Sequence, residues 1–493
     1  MISVDLCLSA SSFLLVLYFY MKKPNAYSPL PLPPGPKGWP VIGNLLDMPT
    51  EFEWKTYHEW SRKLNTDILH VSVMGMSIIV LNSPEAVLEL MECVSFNVGF
   101  MALHRRLMHE LLHPTAALHF RPHEIKATHN LLERFLDNPN GLIGNLRYVA
   151  GETIMSVAYG LDIKPKDDIY IQTAEQGVHA LAVAAVPGMF LVDMLPWLKY
   201  VPAWTPGAGF QKKAKAWAKL TMRMVDMLFE AAKKRVVCGR KCQTVFTSIS
   251  LQRMDEGVKD GPYQERIIRG TGSDTTVSAI TSCVLALLEN PEILKRAQAE
   301  LDSIVTPGHL PDFDDEASLP YITALTMETL RWRDVTPIAI PRYLQVDDEY
   351  KGSIVIPNAW AMLHDENVYP DPFTFKPERF LTKDGMIDKS VRDPRHACFG
   401  FGRRICPGRY MAFSAVWITL ASIVYCFDIK KAVDESRKEI ELTHEYVSAI
   451  VIQPKPFKCS IMPRSLQHER AIRSAVLEHE SETAVFSDHS ALE

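Results

Sequence analysis

The sequence predicts a mainly α chain with a minor β-sheet region. Three observations point there. Apolar runs long enough for buried helices recur at residues 274–288, 320–332 and 410–425. Runs rich in β-branched residues are few and short, at 68–81, 338–344 and 354–356. Prolines and glycines near 139–141, 187 and 202 punctuate the long stretch between 123 and 235, which otherwise reads as helical.

With 493 residues and 47% hydrophobic composition, the chain can bury a large core, although length alone leaves the domain count open. Charged residues make up 23% and the net formal charge is −5, so there is no basic excess of the kind that nucleic-acid binders carry. Nine cysteines without regular spacing argue against a disulfide scaffold. Cys238 and Cys242 lie close together, but no second Cys/His pair with zinc spacing follows, so they read as ordinary thiols.

Residues 6–21 (LCLSASSFLLVLYFYM) carry no charge, and Lys22 and Lys23 follow at once. The run is slightly short of the ~20 residues that span a bilayer. Positive charges after it, a proline-rich continuation and no small-residue cleavage site favour an uncleaved, single-pass anchor over a signal peptide, with the rest of the chain cytoplasmic. Residues 29–40 (PLPLPPGPKGWP) hold six prolines, which makes a stiff, extended spacer. Residues 68–81, broken by Gly75, read as a β-hairpin. Ser83 then caps a helix with Pro84 at its first position. Asn290, before Pro291, is read as the cap of the helix after 274–288, and the polar stretch beyond Arg464 as a poorly ordered tail.

The chemistry concentrates in residues 399–408, FGFGRRICPG. An isolated cysteine is most often a buried, inert thiol. Here Cys406 sits in a glycine-rich, arginine-bearing loop followed by a helix. A metal-ligating thiol must lose its proton, which a helix N-terminus, backbone N–H groups and the metal favour. Gly400, Gly402 and Gly408 let the backbone approach a flat ligand, Arg404 suits an anionic group on it, and Pro407 starts the helix.

The spacing F-x-x-G-x-R-x-C-x-G is complete: Phe399, Gly402, Arg404, Cys406 and Gly408. It resembles the haem-binding signature of the cytochrome P450 superfamily. Further motifs follow the order of that family. Glu328 and Arg331 match E-x-x-R, and residues 377–380 match P-E-R-F, whose Arg379 would complete a buried ion network. Residues 272–276 (GSDTT) resemble the oxygen-activating stretch of the central helix, and residues 33–36 resemble the P-P-G-P hinge.

The resemblance, which spans residue 32 to about 463, implies the following. The fold is the cytochrome P450 fold: anchor 1–23, hinge 24–40, one large catalytic domain 41–464 and polar tail 465–493. Haem b is ligated by Cys406, with Phe399 and Gly408 in the cofactor loop and Arg105, Arg342 and Arg404 on the propionates. Asp274 and Thr275 relay protons for O–O cleavage. The reaction inserts one oxygen atom into a small apolar substrate. Electrons come from NADPH through a separate, membrane-bound NADPH-cytochrome P450 reductase, with cytochrome b5 as an auxiliary donor, since no G-x-G-x-x-G unit occurs here. The place is the endoplasmic reticulum membrane, and the general look is that of fungal microsomal members of secondary metabolism.

The sequence departs from the family in three segments. Met101 stands where a tryptophan partners Arg105, and the stretch before it is short. Gly261 and Pro262 leave the central helix little room upstream of Gly272. Residues 350–356 are short for a strand pair. Two rivals stand beside this reading, the first opposed by Asp274 and Thr275 and the second supported by these departures. One is a haem-thiolate isomerase or dehydratase without O₂, and the other is a truncated, non-catalytic membrane protein.

Overall fold

The computed structural model describes residues 31–92, 108–161, 163–164, 168–184, 190, 192, 196–237, 275–344 and 352–488. The expected anchor, Cys238 and Cys242, and the departing segments before Arg105 and around 261–272 lie outside the described residues, whereas of the third, 350–356, only 350 and 351 do.

Helix α1 (Glu53–Leu64) precedes the hairpin β1 (Ile68–Val73) and β2 (Met76–Leu81), which pair antiparallel in the register Ile68 to Leu81. The turn between them needs positive φ at Met74 (51°) and Gly75 (85°). Alternation buries Leu69, Val71 and Val73 on one face. Helix α2 (Pro84–Glu92) starts as expected, with the Ala86 N–H donating to the Ser83 hydroxyl at 3.2 Å. Helices α3 (Arg121–Asp137), α4 (Leu142–Ile154), α5 (Ile169–Ala184) and α6 (Gly209–Val237) follow, with breaks around 138–141 and near Pro202. Then come α7 (Thr275–Glu289), α8 (Pro291–Ile304) and α9 (Pro320–Trp332).

Strands β3 (Arg342–Tyr343) and β4 (Ile354–Pro357) complete a four-stranded sheet in the order β1-β2-β4-β3, with β2 and β4 parallel and β3 and β4 antiparallel. The strand expected over 338–344 shrinks to two residues. Pro341 has no N–H to give a ladder, and Ala339, at φ 26°, turns back to the Thr336 carbonyl at 3.0 Å. After the cysteine loop come α10 (Arg409–Cys426), β5 (Phe427–Lys431), β6 (Tyr446–Val447), β7 (Gln453–Pro454), β8 (Cys459–Pro463) and α11 (Leu466–Asp488).

The core forms where α3, α4, α7, α8, α9 and α10 meet, around Leu131, Phe135, Cys283, Leu287, Leu325, Trp417 and Leu420. Residues 277–288 of α7 and 416–426 of α10 are buried throughout, which is why both runs are apolar on every side. Among the described residues, α10 is the one single helix long and apolar enough to cross a membrane, and 67% of that window is buried inside the fold.

Three local expectations change. Asn290 does not cap α8; its side-chain amide donates back to the Ala286 carbonyl at 2.7 Å and finishes α7 instead. The spacer does not stand free over its described residues, 31–40. The Pro34 carbonyl accepts from His70 N–H at 2.9 Å and the Pro36 carbonyl from Asn44 at 3.1 Å, which lays this part on the sheet. The tail is not poorly ordered through its described length. Helix α11 buries Ala471, Ile472 and Val476, and Arg473 bonds Glu133 at 2.9 Å and Asp137 at 2.8 Å on α3. Polar residues outnumber the narrow apolar stripe that docks it, so composition hides the stripe.

Candidate cysteine-loop site

The loop is built between a one-turn helix, Arg395–Cys398, and α10. Asp393 opens the turn. It accepts from Arg395 N–H at 2.8 Å and takes the same residue's guanidinium in an ion pair. The chain then reverses through Gly400 (φ 74°) and Gly402 (φ 52°). At Gly402 glycine is required twice over, because a Cβ there would come 2.9 Å from the Met91 carbonyl oxygen. The reversal closes when Cys406 N–H donates to the Phe399 carbonyl at 2.8 Å, which sets Cys406 back over the start of the loop.

The rest of the protein grips this loop by its backbone. Arg342, on β3 and 6% exposed, donates from its guanidinium to the Phe401 carbonyl and, at 3.4 Å, to that of Met91. Arg409 donates to the Cys406 carbonyl from its guanidinium at 3.1 Å. Gly408 precedes α10, and its carbonyl receives Ala412 N–H at 2.8 Å. Phe399, Arg404 and Cys406 are all half-buried.

Of the described cysteines, Cys406 alone stands in the glycine-bent loop. Burial pushes the Cys283 thiol up to about 12 and Cys459 up to about 11. Cys426 is raised by burial as well, beyond the useful range. Cys398, only eight residues from Cys406, is raised by burial and further by Asp334 and Asp393. Burial thus disfavours the thiolate form at these four. A flat, thiolate-bound group also fits the loop's shape. The directions a Cβ would take at Gly400 and Gly408 meet no atom within 4 Å, so the backbone around Cys406 is open on those sides.

Thr275 is the first described residue of α7, the helix that packs beside α10 and α9 in the core. Asp274 and Arg105 lie outside the described residues, so the structure brings together Cys406, Phe399, Arg404, Gly408 and Arg342 and leaves the other two unplaced.

Behind the loop lies the ion network expected from E-x-x-R and P-E-R-F. Glu328 and Arg331 are both 0% exposed. Arg331 grips both Glu328 oxygens, at 2.7 and 2.8 Å, and donates to the Leu363 carbonyl at 3.0 Å. Arg379 reaches the same carboxylate from Nε at 3.1 Å, and its remaining donors go to the carbonyls of Pro370, Asp371 and Thr374. The Lys376 backbone N–H adds a further bond at 2.8 Å. One carboxylate thus faces two guanidinium groups, whose remaining donors go to backbone carbonyls, and such hydrogen-bond satisfaction is what lets buried ions be tolerated.

Sequence reasoning missed three neighbours. Arg409 and Asp393 hold the loop through contacts of two or three residues, but no spacing rule singled them out. Asp334 is fully buried just past α9. It accepts from Thr336 N–H at 3.3 Å, its other oxygen has no partner among the described residues, and burial pushes its carboxyl up to about 7. Nothing in its local sequence marks it as interior.

The comparisons with known proteins agree with this geometry. The family model for cytochrome P450 matches residues 101–461. Cytochrome P450 monooxygenase 98 of Postia placenta is 41% identical, over 96% of this chain and 98% of the relative. Cytochrome P450 monooxygenase ple1 of Rhodocybe pseudopiperita is 38% identical, over 90% and 92%. Tryptamine 4-monooxygenase of Psilocybe cyanescens is 38% identical, over 88% and 93%. Nothing in these likenesses favours the isomerase or the non-catalytic rival. The family match over residues 101–461, with likeness to fungal monooxygenases over nearly their full length, identifies this chain, with its glycine-bent cysteine loop and Glu–Arg–Arg network, as a fungal member of the cytochrome P450 family, a haem-dependent monooxygenase.

Proposed function

We propose that Cys406 is the thiolate ligand of a b-type haem, with Phe399 and Gly408 lining the loop and Arg404, Arg342 and Arg105 facing its propionates. One observation carries this reading. Cys406 is held over an open glycine backbone by its N–H bond to Phe399, while burial disfavours the thiolate form at the other described cysteines. Haem, when bound, supplies the electron-transfer and O₂ chemistry that no side chain offers. The chain's own work is to hold the sulfur in place, to keep it deprotonated near the start of α10, and to deliver protons from the start of α7 through Asp274 and Thr275.

The substrate in this proposal is a small apolar molecule. Electrons arrive from NADPH through a separate NADPH-cytochrome P450 reductase, with cytochrome b5 as an auxiliary donor. The endoplasmic reticulum membrane holds the chain through residues 1–23, with the hinge at 24–40, the catalytic domain at 41–464 and the tail at 465–493. Support for the anchor is the uncharged run 6–21 followed by two lysines.

The test is the reduced, carbon-monoxide difference spectrum of the full chain. Wild type is expected to give the band of a thiolate-ligated haem, and Cys406→Ser to lose it entirely. A mutant that keeps the band refutes the assignment. NADPH-driven oxygen consumption with added reductase is expected in the same preparation and tests the electron route.

A further inference from the structure

We propose that Glu124 is a positioning residue for Cys406, holding the first turns of α10 through Ser414. Glu124 stands in the first turn of α3 and is 1% exposed. Its two carboxyl oxygens lie 3.0 and 2.8 Å from the Ser414 hydroxyl, and that hydroxyl lies 3.0 Å from the Met411 carbonyl. Met411 belongs to the first turn of α10, directly after the cysteine loop.

The polarity of this chain of bonds follows from the charges around it. Arg121, on the same turn of α3, already bonds Glu316 at 2.9 Å and lies over the Phe313 ring at 4.2 Å. Arg395, over the Phe413 ring of α10 at 4.5 Å, is taken by Asp393. Glu316 contributes a like charge from the turn Phe313–Ser318, and α10 offers the Ser414 hydroxyl. Burial pushes the Glu124 carboxyl up to about 8; the Ser414 bond and Arg121 oppose the shift and Glu316 adds to it. With its proton retained, Glu124 donates to Ser414, and the Ser414 hydroxyl is left to donate to the Met411 carbonyl. Ionised, Glu124 needs the Ser414 proton for itself, and the bond to Met411 is lost. The device thus couples one buried proton to the seating of the helix whose N-terminus supports the thiolate.

The proposal rests on Cys406 being the ligand. The experiment compares full-length wild type with E124Q, E124A and S414A, each loaded with haem. Its readout is the ratio of thiolate to neutral-thiol bands in the carbon-monoxide difference spectrum between pH 6 and 9. At pH 7, E124A and S414A are expected to lower that ratio about fivefold, the weight of one hydrogen bond. E124Q, whose amide still donates to Ser414, is expected to match wild type at pH 7. Wild type is expected to show a fall in the ratio centred near pH 8 that E124Q lacks. Should E124A fail to fold, S414A and E124Q decide the matter alone. A ratio unchanged in S414A, or a fall near pH 8 that persists in E124Q, overturns the proposal. A wild type with no thiolate band overturns the Cys406 assignment instead, so the two failures are distinct.

Discussion

Glu328 and Glu124 are both buried carboxyl groups, at 0% and 1% exposure, yet their surroundings differ in kind. Glu328 receives two guanidinium groups and a backbone N–H. Glu124 has one serine hydroxyl, because the arginine beside it is paired to Glu316. The contrast teaches what burial does to charge. Where fixed cations and N–H donors surround the carboxyl group on every side, it becomes scaffold. Where they do not, desolvation keeps the proton on and the group becomes sensitive to pH.

The sharpest way to break this comparison is to neutralise Glu328. Glu328→Gln leaves two buried guanidinium groups without their anion, and a loss of ~3–5 kcal/mol in unfolding free energy is expected. Denaturant unfolding of the purified chain measures it. If Glu328→Gln cost no stability, the distinction between the two sites would collapse.

The second test has the opposite sign. The Glu124 carboxyl is raised from 4.5 to about 8 on folding. Between those values the folded chain holds a proton that the unfolded chain has lost. Its contribution therefore falls as pH rises through that window, by up to ~1.4 kcal/mol per pH unit, and levels off above it. Glu124→Gln carries no such slope. It is expected to exceed wild type by ~3 kcal/mol at pH 7 and to equal it near pH 4.5, with thermal or denaturant unfolding across pH as the readout. A difference that does not change with pH would place the proton elsewhere.

Smaller effects sharpen the picture of scaffold and loop. Gly402→Ala puts a side chain into a left-handed conformation against the Met91 carbonyl, and a cost of about 1–2 kcal/mol is expected, with haem retention falling alongside. Arg473→Ala removes two half-exposed ion pairs that join α11 to α3, and the expected change is below ~1 kcal/mol. A large loss there would show that α11 contributes more than its apolar stripe.

What the sequence determined by itself is whatever a short window encodes. Ten residues around Cys406 specify a glycine-bent loop that carries the cysteine. The helix expected over 320–332 appears with those bounds, and the hairpin over 68–81 likewise, because side-chain periodicity and turn residues act over a few positions. E-x-x-R places Glu328 and Arg331 on one helix face for the same reason. Tertiary structure alone decided the contacts between distant positions. Arg342 reaches Met91 across 251 residues, Ser414 reaches Glu124 across 290, and α11 returns to α3 across 336. No local rule carries such pairings, because each depends on where whole helices pack. The charge state of Glu124 belongs to this second class. A glutamate in the first turn of a helix reads as a solvated, dipole-stabilised anion, and only burial against α10, with Glu316 nearby, pushes its carboxyl upward.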